Sequence, residues 1–157
     1  WDERARGVFV GLSTATTRAD LCRAVFEGAA YSLRHMLEPL EEITGIRLPE
    51  LRATGGGSLN RLWNQIKANV LGRTIRVLRF QETASLGAAL LGGVAAGLYG
   101  STEEASRHVR TSQETETVEP EPQSLQRYDR LYSGYRRLYQ ELRDTMHLLA
   151  AEGEQLG

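Results

Sequence analysis

The feature most suggestive of chemistry is a run of three glycines between a predicted strand and a predicted helix. The strand covers residues 51–54, the loop Gly55-Gly56-Gly57-Ser58 follows it, and the helix begins near Asn60. Because glycine carries no β-carbon, a flat or charged ligand can approach the backbone of this loop, and a helix N-terminus favours negative charge. A nucleotide suits such a place. A tight strand-to-helix turn that needs a positive φ explains the glycines equally well, and Asn60 could be either a ligand contact or a helix cap.

Two familiar nucleotide motifs are absent from this loop. It has neither the Gly-Lys-Ser/Thr of a Walker loop nor the Gly-x-Gly-x-x-Gly of a dinucleotide-binding turn, so both classes are disfavoured.

Other candidate residues are better explained by structure than by chemistry. Glu27 and Glu82 could be functional carboxylates. A mid-helix side chain that is simply exposed or paired explains Glu27 more simply, and an interaction with the N-terminus of the following helix does so for Glu82. Arg34 could bind phosphate, although solvated helix arginines are commoner. The three histidines and the single Cys22 lack metal-ligand spacing, so no metal site is predicted.

Composition excludes several classes of partner. With 157 residues, 41% hydrophobic content and a formal charge of −1, the chain resembles one ordinary domain with no excess charge for nucleic acid or an anionic membrane. It contains no segment with the length and character of a membrane span. One cysteine is compatible with a cytoplasmic location. The missing initiator methionine and the early apolar run Gly7–Leu12, a strand or an extended lead-in, lead us to interpret the chain as a fragment.

Periodicity predicts alternating helices and strands in the first hundred residues. Thr17 is placed to cap a long helix that contains Pro39 and ends at Gly45, and a second helix should end at Gly72. A strand is predicted over residues 74–80. The helix predicted over residues 84–98 has almost no polar face, so we expect it to be packed closely between other elements.

The remaining third predicts two helices and a loop. Ser101 and Glu104 have the spacing of a capping box, and residues 111–123, with two prolines and several glutamates, have the composition of an exposed loop. A final helix from about Ser124 to Glu152 carries a stripe of tyrosine and leucine that we expect to pack against other elements. The order of elements predicts an α/β fold, a small sheet of parallel strands with crossover helices and a long C-terminal helix.

Three motifs together carry a resemblance to a known family. Gly7-x-Phe9-x-Gly11-Leu12 with Asp20-Leu21-x-x-Ala24-Val25-Phe26-Glu27 resembles the second signature of the FGGY carbohydrate kinases. The stretch from Gly55 through Asn60, Trp63 and Gln65 to Ala68 resembles that family's adenosine loop, and Glu82-x-Ala84-x-Leu86-Gly87-Ala88-Ala89 resembles its next motif. One departure is Ala68-Asn69-Val70, where the family usually has Ala-Asp-Val.

The resemblance implies an actin-like, sugar-kinase and Hsp70 ATPase fold, related to ribonuclease H, in which two domains close on ATP and sugar. Residues 1–157 would form the later part of the C-terminal, nucleotide-binding domain, with the sugar-binding and catalytic N-terminal domain absent. It implies nucleotide contacts at Gly55, Gly56, Gly57, Ser58 and Asn60. ATP and Mg2+ are the implied cofactors, with the Mg2+ ligands and the catalytic base outside this chain, which alone should be inactive.

The resemblance suggests a xylulokinase, with the parent reaction ATP plus D-xylulose giving ADP plus D-xylulose 5-phosphate. Gluconate, ribulose, L-xylulose and glycerol remain alternative acceptors. A non-catalytic nucleotide-binding module, or an α/β interaction domain whose glycine loop binds nothing, is also left open, as is a homodimer.

Overall fold

The computed structural model describes residues 2–78, 82–110 and 115–154. Within them, five α-helices, one 3-10 helix and three strands follow one another along the chain. Their bounds are α1 Arg18–Thr44, β1 Glu50–Ala53, the 3-10 helix Gly56–Leu59, α2 Arg61–Leu71, β2 Thr74–Leu78, α3 Thr83–Ala95, α4 Thr102–Arg110, β3 Thr115–Val118 and α5 Pro122–Glu154.

The ends of α1 and α2 follow the local sequence. The Thr17 hydroxyl accepts from the backbone N–H of Asp20, whose carboxylate accepts in turn from the N–H of Thr17, so the predicted capping box is confirmed. Gly45 and Gly72 end the two helices with φ of 67° and 60°, a conformation that glycine adopts without strain. Pro39 lies inside α1, as predicted.

The sheet has the order β1-β2-β3 and is mixed. β1 and β2 are parallel, with Leu51 opposite Ile75, and α2 forms the crossover between them. β3 runs antiparallel to β2, with Val118 opposite Ile75.

β3 corrects one prediction. The prediction of an exposed loop over residues 111–123 is wrong at residues 115–118, which form β3, and at its end, because α5 already begins at Pro122. Residues 111–114 lie outside the described part of the chain. The sequence Thr-Glu-Thr-Val contains three β-branched residues, which favour a strand, and Val118 packs on the apolar face of the sheet. The surrounding glutamates and prolines favoured a loop and led to the wrong prediction.

Two apolar clusters hold the elements together. One lies between α1, α2 and α5 and contains the buried residues Ala30, Tyr31, Ile66, Val70, Tyr128 and Tyr132. The other joins α2 to the sheet through Ala68, Leu71, Ile75 and Val77. The tyrosine stripe of α5 therefore packs on neighbouring helices at Tyr128, Tyr132 and Tyr135, as predicted, although Leu149 is exposed.

Two apolar segments are less covered than their sequences predict. Residues 7–12 form no strand, and Phe9 and Leu12 are exposed. In α3 the prediction of close packing on all sides is wrong, because Gly93 is its only buried residue among those described. The Tyr99 ring approaches Gly93 closely, since a β-carbon there would lie 2.9 Å from the ring and would force it to move. No helix in the described part of the chain is long and apolar enough to cross a membrane.

Asp2 ties the N-terminal segment to α5. Its Oδ2 accepts a hydrogen bond of 2.8 Å from the Tyr139 hydroxyl and lies 2.7 Å from His147 Nε2. The hydrogen bond with His147, followed by that from Tyr139, holds the pKa of the Asp2 carboxyl far below its usual range. Since the folded pKa is lowered, the stabilisation is fully present above the ordinary value of 3.8 and is lost as the pH falls through the lower folded value.

We expect Asp2→Asn to loosen the N-terminal segment, because the amide loses the charge that both partners favour. At pH 8 trypsin should cleave after Arg4 and Arg6 about fivefold faster than in the unsubstituted protein, since cleavage follows the population of the open form. Mass spectrometry of timed digests measures these rates. Asp144→Asn is a matched control, as Asp144 is a far more exposed carboxylate of α5. Equal rates in the Asp2 variant would show that the segment is held by other contacts.

Candidate functional site at the glycine loop

The glycine loop, residues 55–58, lies at the carboxyl end of β1. The N-terminus of α3, which follows the parallel neighbour β2, reaches the same place, because the Thr83 hydroxyl lies 3.4 Å from that of Thr54. Ligands of open α/β sheets bind in crevices outside the carboxyl ends of the strands. The two segments therefore frame a candidate ligand site.

Gly55 and Gly56 form the open face of the loop. Gly55 has φ 78° and ψ 171°, a backbone conformation that other residues adopt only with strain. Gly56 starts the 3-10 helix without a positive φ. A β-carbon on either residue would meet no atom within 4 Å. A ligand can therefore approach the backbone at both positions, although only Gly55 needs glycine for its conformation.

Gly57 is a glycine for a different reason. A β-carbon at Gly57 would lie 2.5 Å from Cζ3 of Trp63, with two further ring atoms at 3.4 and 3.5 Å. The space beside Gly57 is therefore filled by the indole of Trp63. The opening expected along all three glycines is restricted to Gly55 and Gly56.

The Ser58 side chain supports the loop from inside. Ser58 is only 3% exposed, and its hydroxyl donates a hydrogen bond of 2.8 Å to the carbonyl of Gly55. The side-chain amide of Asn64, which is 1% exposed, donates a bond of 2.7 Å to the carbonyl of Ser58. Asn64 was not predicted from the sequence. It could have been noticed as a polar residue on the apolar side of a short helix.

Asn60 caps α2. Its side-chain oxygen accepts a hydrogen bond of 3.1 Å from the backbone N–H of Trp63. This oxygen therefore acts as a helix cap, which was one of the two alternatives for Asn60. Asn60 is also exposed. Capping and a ligand contact through the amide nitrogen are compatible, because they use different atoms.

The other candidate side chains are used in helix packing. Glu27 Oε1 accepts from Arg23 at 2.8 Å and from the Tyr128 hydroxyl at 2.9 Å. Arg34 is bound by carboxylates of α1 and α5. A free cysteine is most often a small buried residue, but Cys22 is exposed.

Metal-ligating side chains are scattered in the part of the chain that the structure covers. No group of three or more His, Cys, Asp or Glu residues there could hold a metal ion.

Asn69 belongs to a polar network that joins α2 to the start of α5. Its side-chain oxygen accepts from the backbone N–H of Glu121 at 2.8 Å and from Gln65 Nε2 at 3.1 Å, and its amide donates to the Glu121 carboxylate at 3.0 Å. Asn69 is buried. The amide suits this place, because it donates to the carboxylate through its nitrogen and accepts from the two N–H groups through its oxygen, which an ionised aspartate cannot do.

Comparison with known families identifies the chain. Residues 1–96 match the model of the FGGY family of carbohydrate kinases, C-terminal domain. The match covers more than half of the chain and contains the glycine loop, the cap of α2 and the start of α3. The chain belongs to the FGGY family of carbohydrate kinases and contains part of its C-terminal domain.

Individual relatives support this assignment but differ in the sugar they name. A glycerol kinase from Lactobacillus acidophilus is 35% identical over 147 residues, which cover 94% of this chain and 29% of that protein. The crystal structure of a xylulose kinase from Rhodospirillum rubrum is 32% identical with a TM-score of 0.75, covering 91% of this chain and 28% of the other. A Plasmodium falciparum glycerol kinase solved with ADP has a TM-score of 0.70 at 25% identity, over 90% of this chain and 28% of the other.

The similar structures establish the fold class. They are sugar kinases of the actin-like ATPase fold, and the small three-stranded sheet with its long C-terminal helix is part of that fold. The chain spans less than a third of the length of these relatives.

Proposed function

We propose that this chain is the nucleotide-binding part of an ATP-dependent carbohydrate kinase. The observation that carries the proposal is the open backbone at Gly55 and Gly56, at the carboxyl end of β1 and beside the N-terminus of α3. Such a corner admits a planar, anionic ligand, because no side chain covers the backbone and a helix N-terminus attracts negative charge. A similar structure is described as containing ADP, which agrees with a nucleotide as the ligand.

Each residue of the loop has a distinct part in this proposal. Gly55 and Gly56 would lie along the ribose and α-phosphate, while Gly57 and Ser58 hold the loop in shape from the other side. Asn60, exposed at the start of α2, would offer its amide nitrogen to the adenine or the ribose. ATP would be bound with Mg2+, whose ligands would come from its phosphates and from other parts of the kinase.

The parent reaction would transfer the γ-phosphoryl group of ATP to a hydroxyl group of a polyol or ketose. D-xylulose, giving D-xylulose 5-phosphate, is our first candidate acceptor from the sequence motifs; the likeness to a xylulose kinase structure agrees with it, but a gluconate kinase structure is equally similar in fold. Glycerol is the second, supported by a curated glycerol kinase. The contribution of this chain would be to position the nucleotide. The general base and the sugar contacts would come from elsewhere, so this chain alone would not turn over substrate.

Gly56→Leu tests the nucleotide site most cleanly. The new side chain would enter the open space without a positive φ or a nearby atom, so it should block a ligand and leave the fold intact. In the kinase that contains this chain, we expect the KM for ATP to rise at least about tenfold, equivalent to about 1.4 kcal/mol of lost binding, and the KM for the sugar to change little. Steady-state kinetics with each substrate varied in turn measures both constants.

Gly134→Leu is the matched control, because a β-carbon at this α5 position also meets no atom within 4 Å. An unchanged KM for ATP in the Gly56 variant would contradict the proposed nucleotide site. Assays of the same kinase with D-xylulose, glycerol and gluconate identify the acceptor. Nucleotide binding with no phosphorylation of any acceptor would favour the non-catalytic module.

A further inference from the structure

The proposed site raises the question of what fixes the shape of a loop that contains three consecutive glycines. Glycine has the largest conformational freedom of all residues, so such a loop needs contacts that restrict it. The Trp63 ring lies against Gly57 so closely that no β-carbon would fit between them. Trp63 therefore forms a wall of the loop at Gly57, whereas a β-carbon on Gly55 or Gly56 would meet no atom within 4 Å.

Trp63 is itself held from several sides. Its backbone N–H donates to Asn60, and its ring lies 5.7 Å from that of Phe26 on α1, with the planes inclined at 41°. The Lys67 ammonium lies 4.6 Å from the centre of the indole ring, a distance typical of a cation–π contact. Burial lowers the pKa of Lys67. The indole ring cannot withdraw from Gly57 without losing its contacts with Phe26 and Lys67.

The next residue of α2 holds the other end of the loop. Asn64 donates to the Ser58 carbonyl at 2.7 Å, and Ser58 in turn bonds to the Gly55 carbonyl through both its hydroxyl and its backbone N–H. Adjacent residues of α2 thus fix the middle and the end of the loop.

We propose that Trp63 is a positioning residue for nucleotide binding. It makes no contact with the nucleotide, and acts by pressing on Gly57 so that the backbone of Gly55 and Gly56 is held in the binding geometry before the ligand arrives. This inference rests on the proposed function. It also assigns Gly57 a role distinct from that of its two neighbours: Gly57 is required by the tryptophan and not by the ligand.

A double-mutant cycle in the kinase that contains this chain tests the assignment. Gly57→Ala alone should raise the KM for ATP about tenfold or more, because the methyl group must displace the indole and with it the loop. Trp63→Leu alone should raise the KM for ATP about tenfold, with kcat within about twofold, because the loop loses its preorganisation. The Gly57→Ala/Trp63→Leu double variant should bind ATP no worse than Trp63→Leu, since the leucine leaves room for the methyl group.

Two further variants separate positioning from general loss of packing. Tyr135→Leu removes an aromatic ring that packs on the cluster between α1, α2 and α5, against Tyr31 and Tyr132 and away from Trp63, so it should lower the melting temperature and leave the KM for ATP within about twofold. Trp63→Phe is the milder substitution if the leucine variant is poorly folded, and the same rescue of Gly57→Ala is expected with it.

The outcomes distinguish this inference from the proposed function. If Gly56→Leu leaves the KM for ATP unchanged, the nucleotide site itself is wrong. If Gly56→Leu impairs ATP binding but the effects of Gly57→Ala and Trp63→Leu simply add, Gly57 faces the ligand and the role given to Trp63 is wrong. A normal KM for ATP in a folded Trp63→Leu variant would overturn the inference in the same way.

Discussion

Replacing Arg34 with alanine is expected to lower the free energy of unfolding by about 3 kcal/mol, because one guanidinium connects three helices. Arg34 donates to Glu38 on its own helix at 2.9 Å, to Asp129 of α5 at 2.7 Å and to the carbonyl of Val70 in α2 at 3.0 Å. It also lies 4.3 Å from the centre of the Tyr132 ring. Alanine leaves all of these groups without their donor.

The environment explains why this ion pair matters more than an ordinary surface pair. The Arg34 side chain is only 21% exposed, although Asp129 is 61% exposed, so solvent weakens one of its interactions but not the bond to Val70. Arg34→Lys should recover less than half of the loss, because lysine keeps the charge but not the planar group that bonds three partners.

Urea denaturation of the protein that contains this chain measures the effect. Arg137→Ala is the matched control, since Arg137 also pairs with a glutamate four residues later but both side chains are well exposed. It should cost no more than about 0.5 kcal/mol. A similar small cost for Arg34→Ala would mean that the three helices do not depend on this group.

Asn69→Asp is expected to lower the free energy of unfolding by a similar amount, about 3 kcal/mol, although an aspartate is the residue that the family resemblance of the sequence implies at this position. The new carboxylate would be buried, would face the Glu121 carboxylate and would lose the amide that donates to it. Like charges at such a distance disfavour ionisation of both groups. The Asn69 amide and the Glu121 carboxylate therefore stabilise each other as donor and acceptor in this chain.

The double variant Asn69→Asp/Glu121→Gln tests the pairing. A glutamine at 121 can donate to the aspartate, so the double variant should be more stable than Asn69→Asp by at least about 1 kcal/mol, while Glu121→Gln alone should be slightly destabilising. Chemical denaturation of the four proteins at pH 7 gives the coupling energy. If the second substitution fails to restore stability, the cost of the aspartate comes from burial and not from Glu121.

Local signals predicted the helix ends and the position of the glycine loop. The capping box at Thr17 and the glycines that end α1 and α2 depend on residues within one helical turn, and all three were readable from the sequence. At Ser101 the spacing was right but only half of the box forms. Ser101 accepts from the N–H of Glu104, while the Glu104 carboxylate accepts from the N–H of Gly100.

The missed features depend on contacts between distant parts of the chain. β3 forms by pairing with β2, where Val118 lies opposite Ile75. The sequence of a four-residue segment flanked by charges does not predict such a pairing. The close approach of Trp63 to Gly57 and the buried bond of Asn64 to Ser58 depend on how α2 turns back over the loop. Residue types alone therefore located the candidate site, but not the division of its glycines into open and supported ones.

The weak attachment of α3 and α4 has a consequence for motion in this chain. Among the described residues these two helices pack mainly on each other, with Tyr99 against Gly93 and Ala105 buried, and the Thr83 hydroxyl bonds to that of Thr54, the residue before the glycine loop. Units with few shared buried contacts open independently of the rest. Amide protons of α3 and α4 should consequently exchange with deuterium through partial openings that leave α1, α2 and α5 assembled, so one border of the candidate ligand site is the part most easily reshaped.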